Sequence, residues 1–253
     1  MERQFDHAAR LLRAAYDGTT IAPLRDFLEP LDLEGAYAVQ AINTRHWLDA
    51  GRRLVGRKIG ATSKAVQQQF GIDQPDFGAL FADMEIADGG LLRPGTVIQP
   101  RVEAEVAFIL GRDLVDPDPS LDDVAAAIDG VLPAIEIVDS RISDWRITLA
   151  DTIADNGSSA FFVLGTEKLS PAGLDLYSCG MVTEINGAIA SVGAGAACLG
   201  HPYHSVRWLA LTLALNGEPL RSGDILLSGA LGPMVDLNPG DRVRIHIGGI
   251  GTC

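Results

Sequence analysis

Apolar positions in the first fifty residues recur at helical spacing. In MERQFDHAARLLRAAYDG, Phe5, Leu12 and Tyr16 fall near one helical face, and Gly18 follows as a stop. IAPLRDFLEP, closed by Pro30, reads as a connector. DLEGAYAVQAINTRHWLDAG reads as a second helix, with Asp32 at the N-cap and Gly51 at C′. Beyond Gly51 the texture changes. RLVGRKIGA reads as a strand and TSKAVQQQFG as a short capped helix, whereas IDQPDFGALFADM, punctuated by Pro75 and Gly78, reads as loop. PRVEAEVAFIL, residues 100–110, is a strand with two distinct faces. Val102, Ala104, Val106, Phe108 and Leu110 share one; Glu103, Glu105, Ala107 and Ile109 share the other. SLDDVAAAIDG is a helix with Ser120 and Asp123 at capping-box spacing. VLPAIEIVDS and SSAFFVLG read as buried strands, MVTEINGAIASVG as a hairpin turning at Asn186-Gly187, and SVRWLALTLALNG as a helix ending at Gly217. DILLSGAL, GPMVDL and RVRIHIGG complete a strand-rich second half, with NPGD as a turn. There is no internal repeat and no regular βαβ alternation. The pattern predicts an α+β protein with a small N-terminal helical region, residues 1–53, and a β-rich catalytic core, residues 54–253.

Composition narrows the classes of function. Of 253 residues, 47% are hydrophobic and 21% charged, enough for a sizeable core in an ordinary globular chain. The net charge of −13, with no basic run, argues against nucleic acid and anionic membranes as partners. The only lysines are Lys58, Lys64 and Lys168, so a lysine at a chemically suggestive position stands out. Cys179, Cys198 and Cys253 match no zinc or redox spacing, and their odd number speaks for a reduced, cytoplasmic setting. The charged, helical start does not read as a signal peptide, and no apolar run reaches bilayer length.

Against this background the glutamates carry the chemistry. Glu103 and Glu105 place two like charges side by side on one face, which an exposed edge strand tolerates. Glu136 in VLPAIEIVD is flanked by apolar residues, where a lone carboxylate costs several kcal/mol, on the order of magnitude for buried ions. It needs a cation. Arg141 or Arg101 is one source. The other is a metal: three carboxylates converging from two strands make a hard oxygen set suited to Mg²⁺ or Mn²⁺.

EAE on a strand, PAIEIVDSRISDW about thirty residues on, and then DTIADNGSS together resemble the fumarylacetoacetate hydrolase superfamily. With IAPLRD, GRKIG, QPDFGALFADM, QPRVEAEVAF, CLGHP, GEPLRSGDILLSGALGPMV and GDRVRIHIGGIG in order, the chain resembles its 2-keto-4-pentenoate hydratase branch from residue 21 onward. The resemblance implies a fumarylacetoacetate-hydrolase-like core in which Glu103, Glu105 and Glu136 hold Mg²⁺ or Mn²⁺. It places Lys58 in the active site, against the plain alternative of a lysine with a buried stem and a wet tip. It makes Asp76 a general acid/base rather than a turn cap. Gly78 and the backbone after it would let substrate approach the main chain, and Ser158 would lie near the substrate carboxylate, with Ser159 a competitor for that place.

The implied substrate is a small 2-hydroxydienoate from aromatic meta-cleavage. Water would add to 2-hydroxypenta-2,4-dienoate to give 4-hydroxy-2-oxopentanoate. The alternatives are a 4-oxalocrotonate decarboxylase of the same family and a non-catalytic assembly partner, the latter predicting no metal-dependent turnover. The resemblance also implies a homo-oligomer and an aldolase or decarboxylase as pathway partner. The chain stops at GIGTC, where that branch runs on for a few strand residues. His201 reads as structural. GAGAAC lacks the third glycine of a dinucleotide loop, and no nucleophile elbow, His-Glu-x-x-His or phosphate loop is present. The His–Glu pair of the superfamily's carbon–carbon hydrolases has no match here.

Overall fold

The structure, a computed structural model, describes residues 2–253. The helical rhythm at the start becomes α1 (Glu2–Ala15) and α2 (Leu33–Asp49). Asp32 caps α2, its Oδ1 accepting the Gly35 N–H at 2.9 Å. These helices have no core to themselves. Ala8, Ala9 and Leu12 of α1 and Ala36 and Val39 of α2 pack against Ile142, Leu149 and Ile153 from far along the chain.

The next segment departs from its pattern. After β1 (Leu54–Gly60) and the Ser63-capped α3 (Lys64–Phe70), the stretch read as loop contains a wholly buried strand, β2 (Asp76–Phe81). It pairs antiparallel with β1, Lys58 opposite Gly78 and Gly60 opposite Asp76. Pro75 lies just outside the strand, so its missing N–H interrupts no ladder. Gly78 is a glycine for a reason outside the strand, described below.

The short β3 (Glu85–Ile86) leads to β4 (Pro100–Leu110). α4 (Leu121–Ala127), closed by the Ser120–Asp123 capping box, runs straight into β5 (Ile128–Asp139), which begins earlier than its apolar run suggests. α5 (Leu149–Ala154) and β6 (Ser159–Leu164) follow. The hairpin of β7 (Gly180–Ile185) and β8 (Ala188–Ala194) turns at Asn186 and Gly187, both at positive φ (+56° and +81°), as a type I′ turn requires. α6 (Pro202–Leu215) starts ahead of its apolar rhythm because His201 caps it, the ring Nδ1 accepting the Tyr203 N–H at 3.0 Å. β9 (Ile225–Ala230), β10 (Val235–Asp236), β11 (Val243–Ile247) and β12 (Gly251–Thr252) complete the chain.

The strands form two sheets. The larger has eight strands in the order β2-β1-β9-β4-β5-β6-β3, with β10 added against β4; the smaller runs β12-β11-β7-β8. One face of the large sheet, with Val102, Val106, Phe108, Ile135 and Ile137, packs on Met181, Ile245 and Ile247 of the small sheet and on Val206 and Leu209 of α6. The opposite face carries Leu80, Ala107, Leu132, Ala134, Phe162 and Leu227, with Trp47 and Leu48 of α2 laid over it. β4 therefore has a strand on each side and cover on both faces. The edge-strand explanation for Glu103 and Glu105 does not apply.

Candidate metal centre and active site

β4 and β5 pair with Glu103 directly opposite Glu136. Directly opposed residues share a face and place their Cβ atoms about 5 Å apart. Glu105, two residues on, joins the same face, and one carboxylate oxygen from each of the three lies within 4.8 Å of the others. Glu105 and Glu136 are completely buried. Gly229, at the end of β9, donates its N–H to Glu105 Oε2 at 2.7 Å. Glu105 Oε1 and both Glu136 oxygens accept no hydrogen bond. Lys58 Nζ is 3.2 Å from Glu136 Oε2, close enough for an ion pair but outside hydrogen-bond alignment. A buried acceptor without a donor carries a desolvation penalty of about 1–3 kcal/mol, more when charged. Converging orphan oxygens with no sulfur or imidazole among them suit a hard divalent cation. The arginines that offered another explanation for Glu136 are committed elsewhere. Arg141 Nε bonds Asp155 at 2.6 Å, and Arg101 Nε bonds Asp236 at 2.7 Å.

Two further groups enter this chamber. Lys58, central in β1, shares the face of the glutamates and is only 3% exposed, so its tip is not wet. Burial works against its charge, but Glu136, Asp76, Glu103 and Glu105 outweigh that and hold its pKa above the ordinary lysine value. Asp76, first residue of β2, is buried with Oδ1 unpaired. Burial raises its pKa; Lys58 opposes the rise and Glu136 adds to it. Glu103 is pushed up to about 7, by burial first, with Lys58 opposing and Glu136 and Asp76 reinforcing. Glu105 is raised well above the carboxylate range by burial and by Glu136 and Glu103. Four carboxylates against one ammonium leave a formal charge of −3. A bound dication reduces this to −1, so the chamber favours a cation.

Glycines make room for this arrangement. A Cβ at Gly60 would collide with Asp76 Oδ1 and lie 3.2 Å from Lys58 Nζ. A Cβ at Gly78 would strike the Asn156 carbonyl, so the open side of Gly78 is filled by protein, and its packing accounts for the glycine without a substrate. Ser158 lies beside the chamber in a turn that contacts Lys58, but its hydroxyl is shared with the Thr152 hydroxyl at 3.0 Å. The Ser159 Oγ is buried and free of partners, and Ser159 stands opposite Val138, on the face of Glu136. Of the two serines, Ser159 has the available hydroxyl.

The pattern also left Asn156, Gly157 and Gly229, which border the chamber, and the Arg141–Asp155 pair, which holds the neighbouring turn, unassigned. Asp155-Asn156-Gly157 is a local signal for left-handed backbone, but what it packs against is not local.

Comparison with known proteins adds the following. Residues 57–253 match the family described as fumarylacetoacetate (FAA) hydrolase, C-terminal. The chain is 54% identical over 246 residues to 2-keto-4-pentenoate hydratase 1 of Dechloromonas aromatica (strain RCB), covering 97% of this chain and 94% of that protein. It is 51% identical over 251 residues to 2-keto-4-pentenoate hydratase of Paraburkholderia xenovorans (strain LB400), covering 99% and 93%. Among solved structures, 4-oxalocrotonate decarboxylase from Pseudomonas putida G7, complexed with magnesium and adipate, superposes with a TM-score of 0.93 at 35% identity, covering 99% of this chain and 95% of the other.

Proposed function

The chain belongs to the fumarylacetoacetate hydrolase family, and from that premise we propose that Glu103, Glu105 and Glu136 hold its divalent metal, with Lys58 and Asp76 as the groups that handle protons. The protein is a metal-dependent hydro-lyase. It adds water to 2-hydroxypenta-2,4-dienoate to give 4-hydroxy-2-oxopentanoate in aromatic meta-cleavage catabolism, with Mg²⁺ or Mn²⁺ as cofactor. The observation that carries the site assignment is the set of buried, unpartnered carboxylate oxygens beside the one buried lysine.

Bound by the three glutamates, the cation would act as a Lewis acid toward the oxygen on C2 of the substrate. The chain's own residues supply the proton movements. The dienol loses its C2 hydroxyl proton and gains one at C5, giving a 2-oxo-3-enoate. Water then adds, its oxygen bonding to C4 and a proton going to C3. Asp76, pushed by burial toward its neutral form, holds the transferable proton. The Lys58 ammonium, charged beside Asp76, balances the negative charge left when that proton departs. The Ser158–Ser159 segment offers the free Ser159 hydroxyl to a substrate carboxylate oxygen. Gly78 acts by admitting Asn156 beside the chamber.

Decarboxylation of 4-oxalocrotonate would bring a second carboxylate needing a cation. The arginine nearest along the glutamate face, Arg101, is paired with Asp236, and Arg141 with Asp155, which favours hydration. The three cysteines are free, in keeping with a reduced cytoplasm, and assembly into a homo-oligomer is part of the same reading. Among the described residues no helix is long and apolar enough to cross a membrane. The test is turnover of 2-hydroxypenta-2,4-dienoate followed by ultraviolet absorbance, before and after chelation and with Mg²⁺ restored, alongside 4-oxalocrotonate with CO₂ detection. Dienoate loss that survives chelation, or CO₂ release as the faster reaction, would overturn the assignment.

A further inference from the structure

Between α5 and β6 the backbone takes three consecutive left-handed residues: Asn156 at φ +59°, Gly157 at +62° and Ser158 at +54°. Asn156 and Gly157 accept this region but Ser158 does not, and three such residues in a row persist only where their surroundings over-determine them. Here they do so from two sides. Asn156, buried, accepts the Ala79 N–H on Oδ1 at 2.7 Å and donates from Nδ2 to the Ala79 carbonyl at 3.0 Å, docking on β2 as a short strand would. Arg141, 1% exposed, brackets both flanks. Its Nη2 donates to the Asp155 carbonyl at 2.7 Å and the Ser159 carbonyl at 3.2 Å, while its Nε and backbone N–H hold the Asp155 carboxylate at 2.6 and 2.9 Å.

This anchoring presses Gly157 onto the reacting lysine. A Cβ at residue 157 would lie 3.1 Å from Lys58 Cδ, 3.4 Å from Cε and 3.5 Å from Asp76 Oδ1. A Cβ at Gly60 would lie 3.2 Å from Nζ. Glycine backbone therefore stands against both the stem and the tip of the lysine, where no side chain hydrogen-bonds its ammonium in place. We infer that the Asn156-Gly157 turn is a positioning device: clamped to Ala79 and bracketed by Arg141, it fixes the direction of the Lys58 ammonium between Glu136 and Asp76. Asn156 and Gly157 are then positioning residues that act through Lys58. The inference rests on the assignment of Lys58 to the reacting site, but its geometric content is independent of the reaction.

The chain's three lysines make this directly measurable. In Mg²⁺-loaded protein labelled with ¹³C at lysine Cε, the Lys58 signal is identified by its loss in Lys58→Met. It should be broad, with two distinct ε-protons, as a locked stem requires. Asn156→Gly keeps a residue that accepts left-handed backbone and removes only the clamp on Ala79. It should merge the Lys58 ε-protons and narrow their line, leaving Lys64 and Lys168 unchanged. It should lower kcat about tenfold to a hundredfold, the scale for misplacing a reacting group by about 1 Å. KM and Mn²⁺ affinity should stay within about threefold, a change worth under about 1 kcal/mol. Gly157→Ala should shift the Lys58 signal and lower kcat in the same way by pushing on the stem directly. A Lys58 signal unchanged in Asn156→Gly overturns the inference whether or not Gly157→Ala folds. A kcat loss that merely follows lost thermal stability, with the Lys58 signal intact, also overturns it and leaves the turn a purely structural element. Failure of the hydratase assignment would appear separately, as no metal-dependent turnover in the wild-type chain with the Lys58 signal still locked.

Discussion

Lys58→Met separates the roles of ammonium and metal in the chamber. The substitution removes the one lysine among four carboxylates, three of them buried, and keeps an apolar stem of similar length. In metal-free protein Glu136 loses its partner at 3.2 Å. Removing one member of a buried ion pair costs on the order of 3–5 kcal/mol, because the remaining charge stays buried and uncompensated. For a chain of this size that lowers Tm by about 6–20 °C. With saturating Mg²⁺ the dication supplies the missing counter-charge, so the loss should be smaller. A thermodynamic cycle then requires the metal to bind the variant more tightly by the difference between the two losses. A difference of about 2 kcal/mol is roughly thirtyfold in affinity. The variant should therefore be nearly inactive, less stable than wild type in EDTA, and a tighter binder of Mn²⁺. Urea unfolding followed by tryptophan fluorescence, with EDTA and with saturating MgCl₂, measures both losses, and calorimetric Mn²⁺ titration measures affinity directly. Equal losses in the two states, or weaker metal binding, would refute the counter-charge argument and return Lys58 to a packing role.

The remaining predictions concern the same chamber and its supports. The folded-state pKa of Glu103 lies at about 7, above its ordinary 4.5, and that of Glu105 is raised as well. The metal-free native state thus binds more protons than the unfolded chain between those values, so its stability is full below about 4.5 and falls as pH rises through about 7. Urea midpoints in EDTA should be higher at pH 5 than at pH 8, and Mg²⁺ at pH 8 should remove most of that difference; a midpoint that rises with pH in EDTA contradicts this. Glu105→Gln keeps the acceptor for the Gly229 N–H but removes a ligand charge. It should weaken Mn²⁺ binding by more than the roughly 10–100-fold typical of losing an outer partner, while making the metal-free protein more stable at pH 8. Asp76→Asn should lower kcat by about 10²–10⁴-fold with Mn²⁺ affinity retained, and near-normal turnover would remove Asp76 from the proton path. Deleting residues 1–53 uncovers Ile142, Leu149 and Ile153, so residues 54–253 should lose cooperative unfolding by near-ultraviolet circular dichroism. A cooperatively folding remainder would instead make residues 1–53 and 54–253 separate units.

Most elements were legible because their signals are local. Asp32 and the Ser120–Asp123 box cap the helices they precede, and Asn186-Gly187 turns the hairpin, each through bonds or dihedrals within a few residues. β2 was missed for the opposite reason. Pro75 and Gly78 are breakers in isolation, but the proline falls outside the ladder and the glycine answers to Asn156, distant in sequence. The structural reading of His201 did not extend to its capping role, because an imidazole lacks the usual Ser, Thr, Asp or Asn signature.

The sequence by itself determined that Glu103 and Glu105 share a face, since a strand repeats every two residues, and that Glu136 sits in an apolar run needing a cation. Only the tertiary structure decided what answers that need. Strand register sets Glu136 opposite Glu103, pairing of β1 with β2 and β9 brings Lys58 and Asp76 to the same face, and Arg141 is drawn away to Asp155. Periodicity is fixed by neighbouring residues, whereas the company a buried charge keeps depends on which distant strands lie side by side. That choice is made by burying both faces of the large sheet at once, a condition no single stretch of chain contains.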